Sequence, residues 1–201
     1  VKVETPDELR SYIDRIPEES LKDVIVQEYI NIPDSNLVNI SCQGFFVTGK
    51  CAGIYVAEQK RKLRKGITSY IEEITDKELY KRVGDLASDF MKELKYCGFA
   101  EFEFMYDKEN KDLWFVEINT RPCGSQSGMS HKFNNLQCII LNPEKYVKLQ
   151  PAKNQLKWMN IQRDIRTRLE SGDWKHFGDI FRAKYDILNW KDPMPFFRQF
   201  I

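Results

Sequence analysis

Two stretches, Phe99–Tyr106 and Leu113–Asn119, constrain this chain more than any other feature, because their side chains alternate between apolar and acidic around a short polar turn. Strand side chains alternate faces with a period of two. Ala100, Phe102, Phe104 and Tyr106 therefore share one face, which Trp114, Val116 and Ile118 are expected to join. Glu101, Glu103, Glu117 and Asn119 share the other. A five-residue loop, Lys108 to Asp112, places Asp107 opposite Leu113, and so sets Glu103 across from Glu117 and Glu101 across from Asn119. Directly opposed residues lie roughly 4.5–5.5 Å apart at Cβ. A slip by one residue would turn Glu117 into the aromatic layer, a costly burial for a charge. The apolar pattern thus selects the register that gathers the carboxylates. Like charges this close raise one another's pKa unless a cation joins them. Mg²⁺ suits such a place, since it takes oxygen ligands and bridges to phosphates. The strand pattern alone fits equally well a solvent-facing sheet whose glutamates carry no chemistry.

The rest of the chain reads as an α+β domain, an antiparallel sheet with packed helices. Thr5-Pro6-Asp7-Glu8 starts a helix with a capping box, followed by Leu9, Tyr12, Ile13 and Ile16 at helical spacing. Val24–Ile30 reads as a buried strand, and Leu37–Val47 and Lys50–Glu58 as a hairpin turning at Thr48-Gly49. Gln59 to Tyr70 reads as a basic loop. A second capping box, Thr75 to Glu78, opens the longest helix, with Leu79, Val83, Leu86, Phe90 and Leu94 along one face and Gly98 as its C-terminal stop. Beyond about Pro151 come a short strand near Leu156–Ile161, a helix marked by Ile161, Ile165 and Leu169, and another marked by Trp174, Phe177, Phe181 and Tyr185. The expected division is a domain over 1–150 and a small, mostly helical extension over 151–201.

Composition excludes several classes. A net charge of +1 argues against general nucleic-acid binding. No run approaches the roughly 18 apolar residues of a membrane span. The N-terminus has neither the basic region nor the apolar run of a signal peptide. Five cysteines without C-x-x-C spacing fit reduced thiols in a cytoplasmic protein better than disulfides or zinc. Cys123, His131 and His176 carry no motif of their own. Val1–Glu4 reads as the middle of a strand and the chain does not open with Met, so it is expected to be part of a longer protein.

Glu117-Ile118-Asn119-Thr120-Arg121 and the preceding Gly98-Phe99-Ala100-Glu101-Phe102-Glu103-Phe104 resemble the E-x-N-x-R signature and metal strand of the ATP-grasp superfamily. The likeness extends over about residues 1–150 and is nearest to predicted enzymes similar to D-aspartate ligase and the carbamoyl phosphate synthase large subunit. It implies the C-terminal lobe of that fold, joined to the end of the first lobe. The implied activity is an ATP-dependent ligase that activates a carboxylate as an acyl-phosphate for attack by an amine. By position, Glu103, Glu117 and Asn119 would hold two Mg²⁺ ions (or Mn²⁺) beneath the ATP phosphates, and Arg121 would meet the transferring phosphoryl group. Val26–Ile30 resembles the family's hinge strand, which makes Gln27, Glu28 and Ile30 candidates for adenine and ribose, with Asp34 as a further ribose contact. Within the basic stretch Gln59–Gly66, Lys62-Leu63-Arg64 corresponds to a loop near the phosphates and the acidic substrate, with Lys62 and Arg64 as phosphate or carboxylate contacts. The glycine-rich loop and lysines of the family's first lobe are expected ahead of Val1.

The expected partners are ATP and small carboxylate and amine substrates, with neither nucleic acid nor membrane. The aromatic tail (Trp174, Phe177, Phe181, Trp190, Phe196, Phe197) offers cover for a neighbouring copy. Two competing readings use the same face: a non-catalytic module that binds nucleotide or a partner protein, and a kinase-like phosphotransferase.

Overall fold

The computed structural model describes residues 1–63, 66–189 and 191–198, which divide into two compact units, Val1–Ser35 and Asn36–Ile201. In the first, Thr5 caps helix α1 (Pro6–Ile13) by accepting from the Glu8 amide at 3.2 Å, while the Glu8 carboxylate accepts from the Glu4 amide at 2.7 Å. A 3₁₀ turn (Glu18–Asp23) follows. Val24–Ile30, expected as a buried strand, is instead extended chain outside any ladder, and Val26 and Tyr29 are 58% and 59% exposed. Its apolar, β-branched sequence favours extended backbone, but a strand also needs a neighbour to take its amides and carbonyls. Among the described residues none does. Val1–Glu4 is likewise not a strand.

The second unit is built on a sheet in the order β5-β4-β1-β2-β3-β6-β7. β1 (Leu37–Val47) and β2 (Lys50–Lys62) form the expected hairpin. Thr48 and Gly49 both take positive φ, +49° and +77°, the two-residue turn whose twist matches the flanking strands. The basic stretch after Glu58 departs from expectation: β2 continues to Lys62 and pairs with β3 (Thr68–Glu73). The sheet tolerates that charge because the Arg61 guanidinium lies over the Tyr70 ring, 4.1 Å from its centroid, and pairs with Asp164 and Asp179.

Helix α2 (Lys77–Glu93) is capped by Asp76, not Thr75, through bonds from the Glu78 and Leu79 amides. Its buried stripe is Leu79, Val83, Ala87 and Met91, whereas Leu86, Phe90 and Leu94, expected on the same face, are about half exposed. Those residues sit about one helical step round from the ridge in which small Ala87, beside Gly84, allows close approach to the sheet. Phe90 reaches back edge-on to Phe102 and stacked on Phe115. Lys95, at φ +49°, takes the left-handed position after the helix, and Gly98 instead begins β4 (Gly98–Asp107), which pairs with β5 (Leu113–Asn119).

Helices cover both faces of the sheet. Beneath α2 lie Ile40, Cys42, Phe46, Val56, Phe102 and Phe104. On the opposite side Tyr55, Ile71, Leu149 and Trp158 pack with residues from the short helices α3 (Ser127–Lys132) and α4 (Leu136–Leu141), among them Met129 and Ile139. The C-terminal stretch contributes to the sheet itself: β6 (Lys157–Met159) pairs antiparallel with β3, and β7 (Lys184–Tyr185) parallel with β6. Between them lie α5 (Ile161–Ser171) and α6 (Asp179–Arg182), and α7 (Met194–Phe197) comes last.

Of the apolar residues expected to anchor α5, Ile161 packs part-buried on the Tyr70–Met159 cluster, but Ile165 and Leu169 are exposed, Leu169 to 68%, and the buried side is polar: Asp164, Thr167 and Arg168. Ion pairing overrides hydrophobic periodicity here, because Asp164 is bonded at once by Arg61 at 2.6 Å and Arg168 at 2.8 Å. Trp174, Phe177 and Phe181 do not form one helix; their rings meet near the surface, Trp174 tilted on Phe177 and Phe177 edge-on to Phe181. Trp190 lies outside the described residues.

Candidate active site

The β4–β5 hairpin positions the acidic face. At its far end the pairing is the expected one, Glu103 opposite Glu117 and Glu101 opposite Asn119. Near the turn it is offset by one: Tyr106, not Asp107, lies opposite Leu113, and Phe104 lies opposite Phe115. A β-bulge at Val116 absorbs the difference. Phe115 rather than Trp114 therefore joins the aromatic layer, meeting Phe104 and Phe90, and Trp114 pairs with Met105 on the side of the glutamates. Without the extra residue, the register of the turn would have placed Val116 opposite Glu103 and Glu117 opposite Phe102, inside the apolar layer.

Glu101, Glu103, Glu117, Asn119 and Arg121 line one cavity of about 180 Å³, together with Gly66, Ile67, Thr68, Cys123, Gly124, Ser125 and Arg163. Strand β1 furnishes a buried polar floor beside it. Ser41 Oγ donates to Glu101 Oε1 at 2.6 Å, and Gln43 Nε2 donates to Ser41 and Ser125. Burial raises the Glu101 carboxyl above its ordinary pKa, opposed by the hydrogen bond from Ser41. Burial also raises Glu103, helped by the negative charges of Glu101 and Glu117. On β5, Asn119 Nδ2 donates to Glu117 Oε1 at 2.9 Å and Arg121 Nη2 donates to Asn119 Oδ1 at 3.3 Å. The Lys62 ammonium is depressed by burial and held up by Glu103. The Cys123 thiol is pushed up to about 12 by burial and by the negative Glu101, which makes it a poor nucleophile.

These donors suit a hard divalent cation, because two opposed carboxylates with a neutral carbonyl oxygen beside them form an oxygen-only set. Among the described residues no three or more His, Cys, Asp or Glu are grouped so that they alone could hold a metal ion. A site that relies on an asparagine and on substrate phosphates does not need such a group.

Of the residues singled out by sequence, Glu103, Glu117, Asn119 and Arg121 meet at this cavity, and Lys62 acts on Glu103 from β2. Arg64 lies outside the described residues. Gln27, Glu28, Ile30 and Asp34 belong to the first unit. There Gln27 and Glu28 line a hollow of about 620 Å³ with Tyr12, Ile13 and Val24–Val26. Sequence reasoning missed Ser41 and Gln43, although the polar series Asn39, Ser41, Gln43 at period two inside an otherwise apolar strand was a legible signal. It also missed Arg163, which reaches the cavity from α5 with no local motif to announce it.

Residues 50–132 match the family model of the carbamoyl-phosphate synthase L chain, ATP binding domain. No curated protein matches the chain. Among solved structures, the biotin carboxylase–βγ-ATP complex from Campylobacter jejuni superposes with a TM-score of 0.55 at 20% identity, covering 75% of this chain and 34% of that one. The biotin carboxylase domain dimer of Hydrogenobacter thermophilus 2-oxoglutarate carboxylase, in complex with MgADP, ADP and bicarbonate, gives 0.49 at 19% identity, over 64% of this chain and 29% of that one. N5-carboxyaminoimidazole ribonucleotide synthetase from Thermotoga maritima gives 0.46 at 14%, over 70% and 38%. The chain thus spans about a third of the length of the structures it matches. The mixed, largely antiparallel sheet with helices on its faces is the ATP-grasp fold.

Proposed function

We propose that this chain is a member of the ATP-grasp superfamily, supported by the family-model match and the shared fold, and is the metal- and phosphate-binding part of an ATP-dependent carboxylate–amine ligase. One observation carries the reading: the hairpin register gathers Glu103, Glu117, Asn119 and Arg121 of the E-x-N-x-R run around a single cavity. Glu103, Glu117 and Asn119 would hold Mg²⁺, two ions by the family pattern, and when bound these neutralise triphosphate charge. Arg121, whose fork already bonds Asn119, is placed to stabilise negative charge on the phosphoryl group in transit. Lys62, the last residue of β2, and Arg64, two residues further along the sequence, are the proposed basic contacts of the phosphates. Gln27, Glu28, Ile30 and Asp34 are the proposed contacts for adenine and ribose.

In this scheme a substrate carboxylate oxygen attacks the γ-phosphorus and ADP leaves. The amine then attacks the acyl carbon, releasing inorganic phosphate and a proton to give an amide. Glu101, buried and bonded to Ser41, forms part of the floor that shields the reacting groups from water. The test is ADP release by the full-length protein and its Glu117→Gln variant with a panel of carboxylates and amines, with hydroxylamine as a trap. Loss of about a hundredfold or more in the variant is expected, since metal-held charge stabilisation contributes several kcal/mol. Equal rates would remove the metal role, and ADP release without hydroxamate would point to phosphoryl transfer onto a non-carboxylate acceptor.

A further inference from the structure

Three carboxylates line the cavity, and two of them, Glu103 and Glu117, face each other across the hairpin. The third, Glu101, lies two strand residues back along β4, roughly 7 Å away along the chain. It belongs to a different row, Gln43, Glu101, Asn119, that crosses three strands. Ser41 draws the Glu101 carboxylate toward β1, whereas Glu117 and Asn119 bond each other on β5, at the other side of β4. Glu101 is thus set apart from the pair that suits a metal. It is only 7% exposed, and among the described residues no cation forms an ion pair with it. The Arg121 charge reaches it, but that guanidinium is bonded to Asn119 and the Pro122 carbonyl and acts on Glu103 as well.

The serine beside it fixes how the floor of the cavity is hydrogen-bonded. A serine hydroxyl has one proton to give. Ser41 gives it to Glu101 Oε1 at 2.6 Å and so can only accept from Gln43, which holds the Gln43 amide nitrogen toward Ser41 and Ser125. Gln43 Oε1 is left on the other side of the amide, fully buried and with no donor. Tyr55, its neighbour across the β1–β2 pair, does not supply one, because its hydroxyl donates to the Ser125 carbonyl at 3.4 Å. Buried acceptors without a donor are rare and costly. This one stands in the cluster formed with Glu101 and Ser125, both of which line the cavity. A buried carboxylate without an ion-pair partner, backed by a buried carbonyl without a donor, fits a ligand that brings positive charge and several N–H groups. A phosphate or a carboxylate would be repelled there. An ammonium group meets both needs, and a cavity of about 180 Å³ admits one group of that size.

We infer that Glu101, with Gln43 behind it, binds an ammonium group of a small organic substrate, one strand step from the facing pair Glu103 and Glu117. The inference rests on the ligase reading for the identity of that substrate. Two sources fit the same chemistry: the amine that is to be acylated, or an amino group carried by the acid that is to be activated, which would make that acid an amino acid.

The experiment uses the full-length protein with Glu101→Gln, which keeps the shape and the bond from Ser41, and Gln43→Met, which removes the orphan carbonyl. The probes are L- and D-alanine and L-lysine; their amides, which keep the ammonium and lose the carboxylate; and propionate and hexanoate, which lack nitrogen. Each is titrated by calorimetry in the presence of Mg-ATP. The ammonium-bearing probes should bind about ten- to a hundredfold more weakly to Glu101→Gln, and more weakly by a smaller factor to Gln43→Met, with Mg-ATP affinity unchanged. A raised KM in hydroxylamine trapping for the amino acids, but not for propionate or hexanoate, assigns the ammonium to the activated acid. An unchanged trapping KM with a raised KM for the amides as amines assigns it to the amine. Glu101-dependent binding of an amide by a protein that makes no hydroxamate would sink the ligase reading and leave the ammonium site standing. Affinities within twofold of wild type in Glu101→Gln overturn the ammonium site, as does failure of every ammonium-bearing probe to bind the wild-type protein. A fall in Mg-ATP affinity as large as that for the amines overturns it too, by making residue 101 a metal ligand.

Discussion

Replacing Asp164 by alanine should destabilise the second unit far more than its position on a surface helix suggests. Asp164 and Arg168 have no exposed side-chain surface and Arg61 only 16%. Oδ1 accepts from Arg61 Nε at 2.6 Å and Oδ2 from Arg168 Nε at 2.8 Å, so truncation strands two guanidinium groups at once. Removing one member of a buried ion pair costs about 3–5 kcal/mol. Arg61 keeps Asp179 and Arg168 keeps the Lys175 carbonyl, which places the expected cost at about 3 kcal/mol, the lower end of that range. For a unit of this size each 1 kcal/mol moves Tm by about 2–4 °C, so the transition should fall by about 6–12 °C. Urea unfolding and scanning calorimetry of the wild type, Asp164→Ala, and the apolar pair Asp164→Leu/Arg168→Met would measure it. The apolar pair should be the less destabilised of the two, because it leaves fewer uncompensated charges. A loss under about 1 kcal/mol for Asp164→Ala, the scale of a solvated pair, would refute the claim that ion pairing anchors α5.

Stability should also depend on pH through the acidic strand pair. Glu101 and Glu103 have folded-state pKa values above the ordinary 4.5. The folded form therefore binds protons that the unfolded chain has released, and stability falls as pH rises from about 4.5 through the raised values. Glu103→Gln should flatten that decline in urea titrations at stepped pH, and Mg²⁺ should oppose it by favouring the ionised form; a wild-type stability that climbs across the window contradicts the assignment. Iodoacetamide should modify exposed Cys97 and Cys138 well before Cys123, whose thiol near 12 is ionised to only about one part in 10⁴ at pH 8; peptide mass spectrometry that finds Cys123 labelled first would reverse this picture. Gly53→Ala would bring a Cβ to 2.6 Å from buried Leu149 and should cost about 1–3 kcal/mol by chemical denaturation. Gly178→Ala, with open space around it, serves as its near-neutral control.

The acidic hairpin was legible in the sequence because two independent demands agreed there: a period-two apolar pattern and the cost of burying a glutamate. The bulge was not, since counting loop residues assumes one register along the whole ladder. Strand β3 was hidden by its basic neighbours, among which Arg61 is paired with Asp164 and Asp179, more than a hundred residues away in the chain. Hydrophobic periodicity mistook the faces of α2 and α5 for different reasons. In α2 small residues set the contact ridge, and in α5 charged residues form the buried side. Val24–Ile30 shows the converse limit, for strand-like composition supplies conformation but not a pairing partner. Arg163 lay beyond reach because only the tertiary path of the C-terminal segment brings it to the carboxylates.

The extra residue at Val116 works as a mechanical joint between two stretches of ladder. On one side the turn sets its own alignment, and on the other the carboxylates keep theirs. Lengthening or trimming the connection by one residue can thus be taken up at that joint, so the tip of the hairpin is free to vary while the chemistry a few residues away stays in step.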